Sequence, residues 1–134
     1  MECEGKEVDL ETLEYIHLHK TGALLKACVR TGAMIAGANE KLLQALTTYA
    51  EGIGLAFQII DDILDLTSSS EKLGKTAGKD LLADKTTYPK LLGMEESKKR
   101  AFDLVEKAKK ALEPWGTDAK YLISLADFIT NRDR

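Results

Sequence analysis

The chain has 134 residues, 44% of them hydrophobic and 31% charged, with a formal net charge of −3. That length suits one domain able to bury roughly two-thirds of its unfolded surface, and the acidic balance excludes the basic footprint of a nucleic-acid-binding protein. Cys3 and Cys28 have neither zinc spacing nor a disulfide framework. No secretory apolar region follows Met1 and no apolar run approaches transmembrane length, so no transmembrane segment and a cytoplasmic location are expected.

Nearly every segment reads as helix. Leu10, Leu13, Ile16 and His17 share a face in a first short helix for which Asp9 is the N-cap. From Thr21 to Gly37, Ala23, Ala27, Gly32, Ala33 and Ala36 interleave with Leu24, Leu25, Cys28, Val29 and Ile35. Small residues let another helix approach closely, so a helix buried on most sides is expected there. Asn39 then caps a long helix on which Leu42, Leu43, Leu46, Tyr49, Ile53, Phe57, Ile60 and Leu64 form an i, i+3, i+4 ladder. Its end is expected near Leu66, before Ser68, Ser69 and Ser70, with Gly74 and Gly78 in a following loop. Gly52 and Gly54 lie inside this helix, where each costs about 1 kcal/mol relative to alanine, which points to close packing. Two further helices are expected, from Glu95 to Leu112 and from Thr117 to Thr130, separated by Pro114 and Gly116. No strand alternation, repeat or low-complexity tract is present. The fold class is all-α, a helical bundle.

Chemistry concentrates between Phe57 and Lys90. Asp61 and Asp65 are four residues apart on one helical face, Gln58 lies a turn before Asp61, and Asp62 is about 100° round the helix. Like charges at that spacing repel, and carboxylates near a helix C-terminus oppose the dipole. A divalent cation removes both penalties, and few protein oxygens suit Mg²⁺ shared with substrate phosphates. Read alone, the DDxxD pattern is more simply a solvated helix end. Lys75, Lys79 and Lys85 follow in the glycine-punctuated loop, and Lys20-Thr21 opens the small-residue helix. Each lysine alone reads as a solvated residue, but lysines and a threonine opposite carboxylates can hold a diphosphate. The Gly74-Lys75-Thr76 step is not a P-loop, because Ser69 stands where the first glycine is required and a helix precedes it. His17 and His19, two residues apart, diverge on a helix and cannot share a metal. Tyr15, Tyr88, Trp115 and Tyr121 read as core or rim residues.

Phe57-Gln58-x-x-Asp61-Asp62-x-x-Asp65 resembles the second aspartate-rich motif of the trans-type isoprenyl diphosphate synthases, also called polyprenyl synthetases. Gly74-Lys75, Gly78-Lys79-Asp80 and Asp84-Lys85-Thr86-x-x-Pro89 resemble the segment that follows it, and His19-Lys20-Thr21-Gly22 the upstream Lys-Thr step. The stretch LETLEYIHLHKTGALL is similar to geranylgeranyl diphosphate synthases of plants and photosynthetic bacteria, which makes the plastid stroma the alternative location. The resemblance implies a Mg²⁺-dependent transferase that joins an allylic diphosphate to isopentenyl diphosphate, the product being of the geranylgeranyl type. The allylic pyrophosphate departs, the double bond of isopentenyl diphosphate attacks the resulting carbocation, and a proton is lost. It implies Asp61, Asp62 and Lys75 as catalytic residues and Asp61, Asp62 and Asp65 as metal ligands, directly or through water. Lys20, Thr21, Gln58, Lys75 and Lys85 are implied as contacts of the allylic diphosphate, with Phe57 bordering the apolar cavity.

The family carries two aspartate-rich motifs, whereas Asp61-Asp62 is the one Asp-Asp pair here. Residues 1–134 are therefore expected to be the C-terminal part of a single all-α prenyltransferase domain, lacking the N-terminal half and its first motif. Half a bundle leaves an apolar face, including the Leu24-to-Ile35 helix, for a missing half or a second copy to cover. Two readings follow. The chain is part of a prenyltransferase that is inactive alone, or it is a noncatalytic all-α partner that binds or modulates a complete synthase.

Overall fold

In a computed structural model, residues 9–71 and 87–132 are described, the side chains of 69–71 excepted. The order is α1 (Leu10–His17), a π-helical turn (Leu18–Gly22), α2 (Ala23–Ile35), α3 (Glu40–Glu71), α4 (Tyr88–Leu92), α5 (Met94–Ala111), a 3₁₀ stretch (Glu113–Ala119) and α6 (Lys120–Asn131). Among the described residues there is no strand, so the fold is all-α as the periodicity requires.

Both expected caps form. The Asp9 carboxylate accepts the Thr12 N–H at 2.8 Å, and the Asn39 side-chain oxygen accepts the Leu42 N–H at 2.9 Å. The bond to Thr12 holds the Asp9 carboxyl below its ordinary range. Between α2 and α3 the chain reverses through Gly37 at φ 82°, a conformation open to glycine at no Cβ cost.

The 32-residue α3 spans about 48 Å and is the axis of the molecule. Tyr49, Ile53, Ala56, Ile59 and Ile63 on α3 pack with Ala101, Val105, Ala108 and Leu112, with Leu13 of α1, Tyr88 of α4, and Ala126 and Ile129 of α6. The α3–α5 crossing is tight at Gly52. A Cβ there would lie 3.2 Å from both the Ala108 Cβ and the Leu104 carbonyl oxygen. The Tyr49 hydroxyl, fully enclosed, donates to the Leu122 carbonyl oxygen at 2.7 Å and ties α3 to the start of α6. Lys109 reaches Asp127 at 2.7 Å and Glu106 at 2.9 Å, clasping α5 to α6, and the Asp127 bond raises the Lys109 pKa. An ion pair between Arg100 and Glu14 joins α5 to α1.

Several expectations are corrected. α3 continues past Leu66 to Glu71, with the Thr67 hydroxyl accommodated inside the helix by donating to the Ile63 carbonyl at 3.0 Å. The last helix starts at Lys120, three residues later than expected, after Gly116 turns the chain at φ 53°, ψ −129°. The short α4 was not anticipated. α2 is not enclosed as its small residues suggested but uncovered as half a bundle implies: Ala33 is its one buried residue, while Leu24 and Ile35 are 66% and 83% exposed. It meets α3 on one side, through Lys26–Glu51 at 3.8 Å and an Arg30–Thr47 hydrogen bond at 2.7 Å. Tyr88 is core and Trp115 packs at its edge, but Tyr15 and Tyr121 lie on the surface.

Candidate diphosphate and cation site

Gly54, Gln58, Asp61 and Asp65 follow one another on α3 at i, i+4, i+7 and i+11, a single stripe down one face. Opposite its upper part lies the π-helical turn, which carries Lys20 and Thr21. A π turn fits one extra residue into a helix and is frequent at functional sites. Here it runs without a break from α1 into α2, so Thr21 does not begin a helix.

The turn is brought in by two glycines. A Cβ on Gly54 would stand 3.2 Å from the Gly22 Cα and 3.3 Å from Leu25 Cδ1, so the two backbones approach as only glycine allows. One residue before Gly22 and one turn after Gly54, Gln58 Nε2 donates to Thr21 Oγ1 at 3.0 Å. Thus two of the expected diphosphate contacts, from segments 37 residues apart, share a hydrogen bond. Lys20, beside Thr21, is solvent-exposed.

Lower on the stripe, the Asp61 side chain is 43% exposed and Asp65 is exposed. Both therefore present carboxylate oxygens outward from one face, a hard-donor pair of the kind Mg²⁺ accepts while completing its shell with water and phosphate oxygens. Among the described residues no group of three or more histidine, cysteine, aspartate or glutamate side chains gathers as an all-protein metal cage. The donor set fits a cation shared with a phosphate ligand.

Asp62 is placed differently from its neighbour. It is 3% exposed, points into the core and accepts the Tyr88 N–H at 3.3 Å. His17 Nε2 lies 3.9 Å from the same oxygen, and the His17 ring stacks on Tyr88 with centroids 5.6 Å apart. Tyr88 opens α4, and a helix start leaves such N–H groups without internal acceptors. Asp62 thereby joins α3 to the start of α4 and to the residue preceding the π turn. The Tyr88 hydroxyl pKa is raised, mainly by burial and secondarily by Glu14.

His19 faces away from this cluster: its Nδ1 meets the Tyr15 carbonyl oxygen at 2.9 Å and its ring stacks on Tyr15 at 4.0 Å. Lys75, Lys79 and Lys85 lie outside the described residues.

One side chain was missed altogether. Arg132, at the C-terminal end of α6, lies with its guanidinium carbon 4.3 Å from the Phe57 ring centroid. Its Nη2 is 3.4 Å from the Phe57 carbonyl oxygen and 3.6 Å from Asp61 Oδ1. No local pattern signals this, since Arg132 is 75 residues from Phe57 and meets it only through packing.

A family model described as Polyprenyl synthetase matches residues 1–120. The chain belongs to the polyprenyl synthetase family. It is 54% identical over 134 residues to a geranylgeranyl diphosphate synthase of Cyanophora paradoxa, covering 99% of this chain and 45% of that protein. It is 53% identical over 135 residues to a chloroplastic geranylgeranyl pyrophosphate synthase of Capsicum annuum, covering 99% of this chain and 37% of the relative. A geranyltransferase structure from Helicobacter pylori, complexed with magnesium and isoprenyl diphosphate, matches with TM-score 0.74 and 30% identity, covering 97% of this chain and 43% of that one. The chain spans less than half the length of these relatives.

Proposed function

We propose that this chain is the C-terminal part of a prenyltransferase that condenses an allylic diphosphate with isopentenyl diphosphate to a product of the geranylgeranyl type. The observation that carries the reading is the Gln58–Thr21 hydrogen bond, which sets Thr21 against the stripe bearing Asp61 and Asp65. A hydroxyl beside a lysine thus meets the helical face that carries a carboxylate pair further along, which supports assigning a magnesium diphosphate to this face.

In this reading Asp61 and Asp65 hold Mg²⁺, which supplies charge neutralisation to the departing pyrophosphate. Lys20, Thr21 and Gln58 bind and orient the diphosphate, and the Thr21–Gln58 bond fixes both donors before it arrives, so little reorganisation accompanies bond cleavage. Lys75 and Lys85 are assigned to the same diphosphate by their place in the motif. Asp62 contributes by positioning, since its carboxylate is engaged with the Tyr88 N–H. Phe57 lines the apolar side. The remaining wall is proposed to come from an N-terminal segment bearing the first aspartate-rich motif, or from a second copy. Among the described residues no helix is long and apolar enough to cross a membrane. The chloroplastic relative supports a plastid location for a plant source.

Adding Mg²⁺ and pyrophosphate together to the purified chain should raise its melting temperature, and Asp61→Asn should remove that gain. Labelled allylic and isopentenyl diphosphates should yield a longer product only when an N-terminal half is supplied. No product with any such half, together with tight binding to an intact synthase, would replace this reading with that of a noncatalytic partner.

A further inference from the structure

We infer that Arg132 is the resident counter-ion of Asp61, which it holds until a divalent cation displaces it. The inference rests on the reading of Asp61 and Asp65 as cation ligands and adds a positioning residue that competes with the metal.

Contacts with Phe57 and Asp61 place the guanidinium on α3. The guanidinium lies over the Phe57 ring at 4.3 Å, its Nη2 is 3.4 Å from the Phe57 carbonyl oxygen, and the same nitrogen is 3.6 Å from Asp61 Oδ1. Phe57 and Asp61 are one helical turn apart, so a single planar cation spans both. An arginine at the very end of a helix would ordinarily wander in solvent, yet this side chain is only 11% exposed. Stacking on an aromatic face is a mode that arginine favours through its planar, weakly hydrated head.

The electrostatic need is plain. Asp61 and Asp65 repel at i, i+4, and because α3 runs on to Glu71 both lie more than a turn inside it, so the repulsion rather than the helix dipole is what a nearby cation relieves. Arg132 offsets part of this in the metal-free chain. The Asp61 oxygen that it faces is one that a cation would also take, so metal and guanidinium exclude each other from it. Once displaced, the guanidinium retains its Phe57 platform beside a site that receives an anionic diphosphate.

Mn²⁺, followed by electron paramagnetic resonance, is the probe, titrated into the whole chain without diphosphate. Removing the competitor in Arg132→Gln should tighten Mn²⁺ binding by about two- to five-fold, the scale of a partly exposed ion pair. Misfolding can only weaken binding, so a gain is a readout that a merely structural role does not produce. Lys26→Gln, which deletes a charge paired with Glu51, controls for net charge and should bind as wild type does. Binding by Arg132→Gln no tighter than wild type, or an equal gain in Lys26→Gln, overturns the inference and leaves the cation site standing. Wild-type binding that Asp61→Asn leaves unchanged overturns both.

Discussion

Gln58 Nε2 donates to Thr21 Oγ1 across 3.0 Å, joining the middle of α3 to the π turn between α1 and α2. The bond exists because Gly54 and Gly22 let two backbones touch one turn away. It turns two scattered polar residues into one preformed donor pair. Thr21→Val keeps the volume and removes the hydroxyl, so it should cost about 1 kcal/mol of stability. It should also weaken binding of Mg²⁺ with pyrophosphate, while Thr21→Ser retains both properties. Urea unfolding and calorimetric titration measure the two effects, and a valine variant equal to wild type in both would remove this pair from the site.

The glycine contact makes its own prediction. In an exposed helix Gly→Ala gains about 1 kcal/mol, but at Gly54 the new methyl meets the Gly22 backbone at 3.2 Å. Backbone cannot step aside as a flexible side chain can, so Gly54→Ala should be destabilising by about 1–3 kcal/mol. Gly32, with nothing within 4 Å of its Cβ position, is the internal control, and Gly32→Ala should stabilise this chain. Stabilisation by both substitutions, read from urea midpoints, would mean that the π turn does not rest on α3 as described.

Asp61 and Asp62 are adjacent in sequence and opposite in environment. Asp62→Ala strands the buried Tyr88 N–H at the start of α4 and should cost about 1–3 kcal/mol. Asp61→Ala removes a half-exposed carboxylate that repels Asp65 and should change stability by less than about 1 kcal/mol. The order reverses for ligand: Asp61→Ala should abolish the stabilisation that Mg²⁺ with pyrophosphate confers, whereas Asp62→Asn, folded, should retain part of it. Equal stability losses for the two alanine variants would contradict the separation of roles.

Sequence periodicity was enough for the all-α class, the Asp9 and Asn39 caps and the long α3, because each is a local property of spacing and capping. The DDxxD stripe and its Gln58 neighbour were legible for the same reason. Three features were not. The π turn at Leu18–Gly22 has no propensity signature, and its Gly22 meets Gly54 of α3 only through tertiary packing. The inward placement of Asp62 depends on which side of α3 is covered, which a repeat of aspartates does not state. Arg132 reaches Phe57 only through the packing of α6 on α3. The exposure of α2 followed from the missing half that the motif count implies, whereas its small residues, read alone, indicated close approach without naming the neighbour.

Tyr49 links the core to pH. Its hydroxyl is fully buried against the Leu122 carbonyl, and burial pushes its pKa up to about 12 from the ordinary 10.0. A folded-state pKa above the unfolded one means that the contribution is complete below pH 10 and is lost as pH rises through the folded value. Tyr49→Phe removes the hydrogen bond and should cost about 1 kcal/mol at pH 7. Between pH 10 and 12 the wild type alone should pay the deprotonation of Tyr49, so the gap between wild type and variant should narrow there. Urea unfolding of both proteins at pH 7, 10 and 11.5 tests this, with burial of Tyr88 common to the two and cancelling from the difference. A gap that stays constant across the series would show that the Tyr49 hydroxyl is not desolvated in the folded chain.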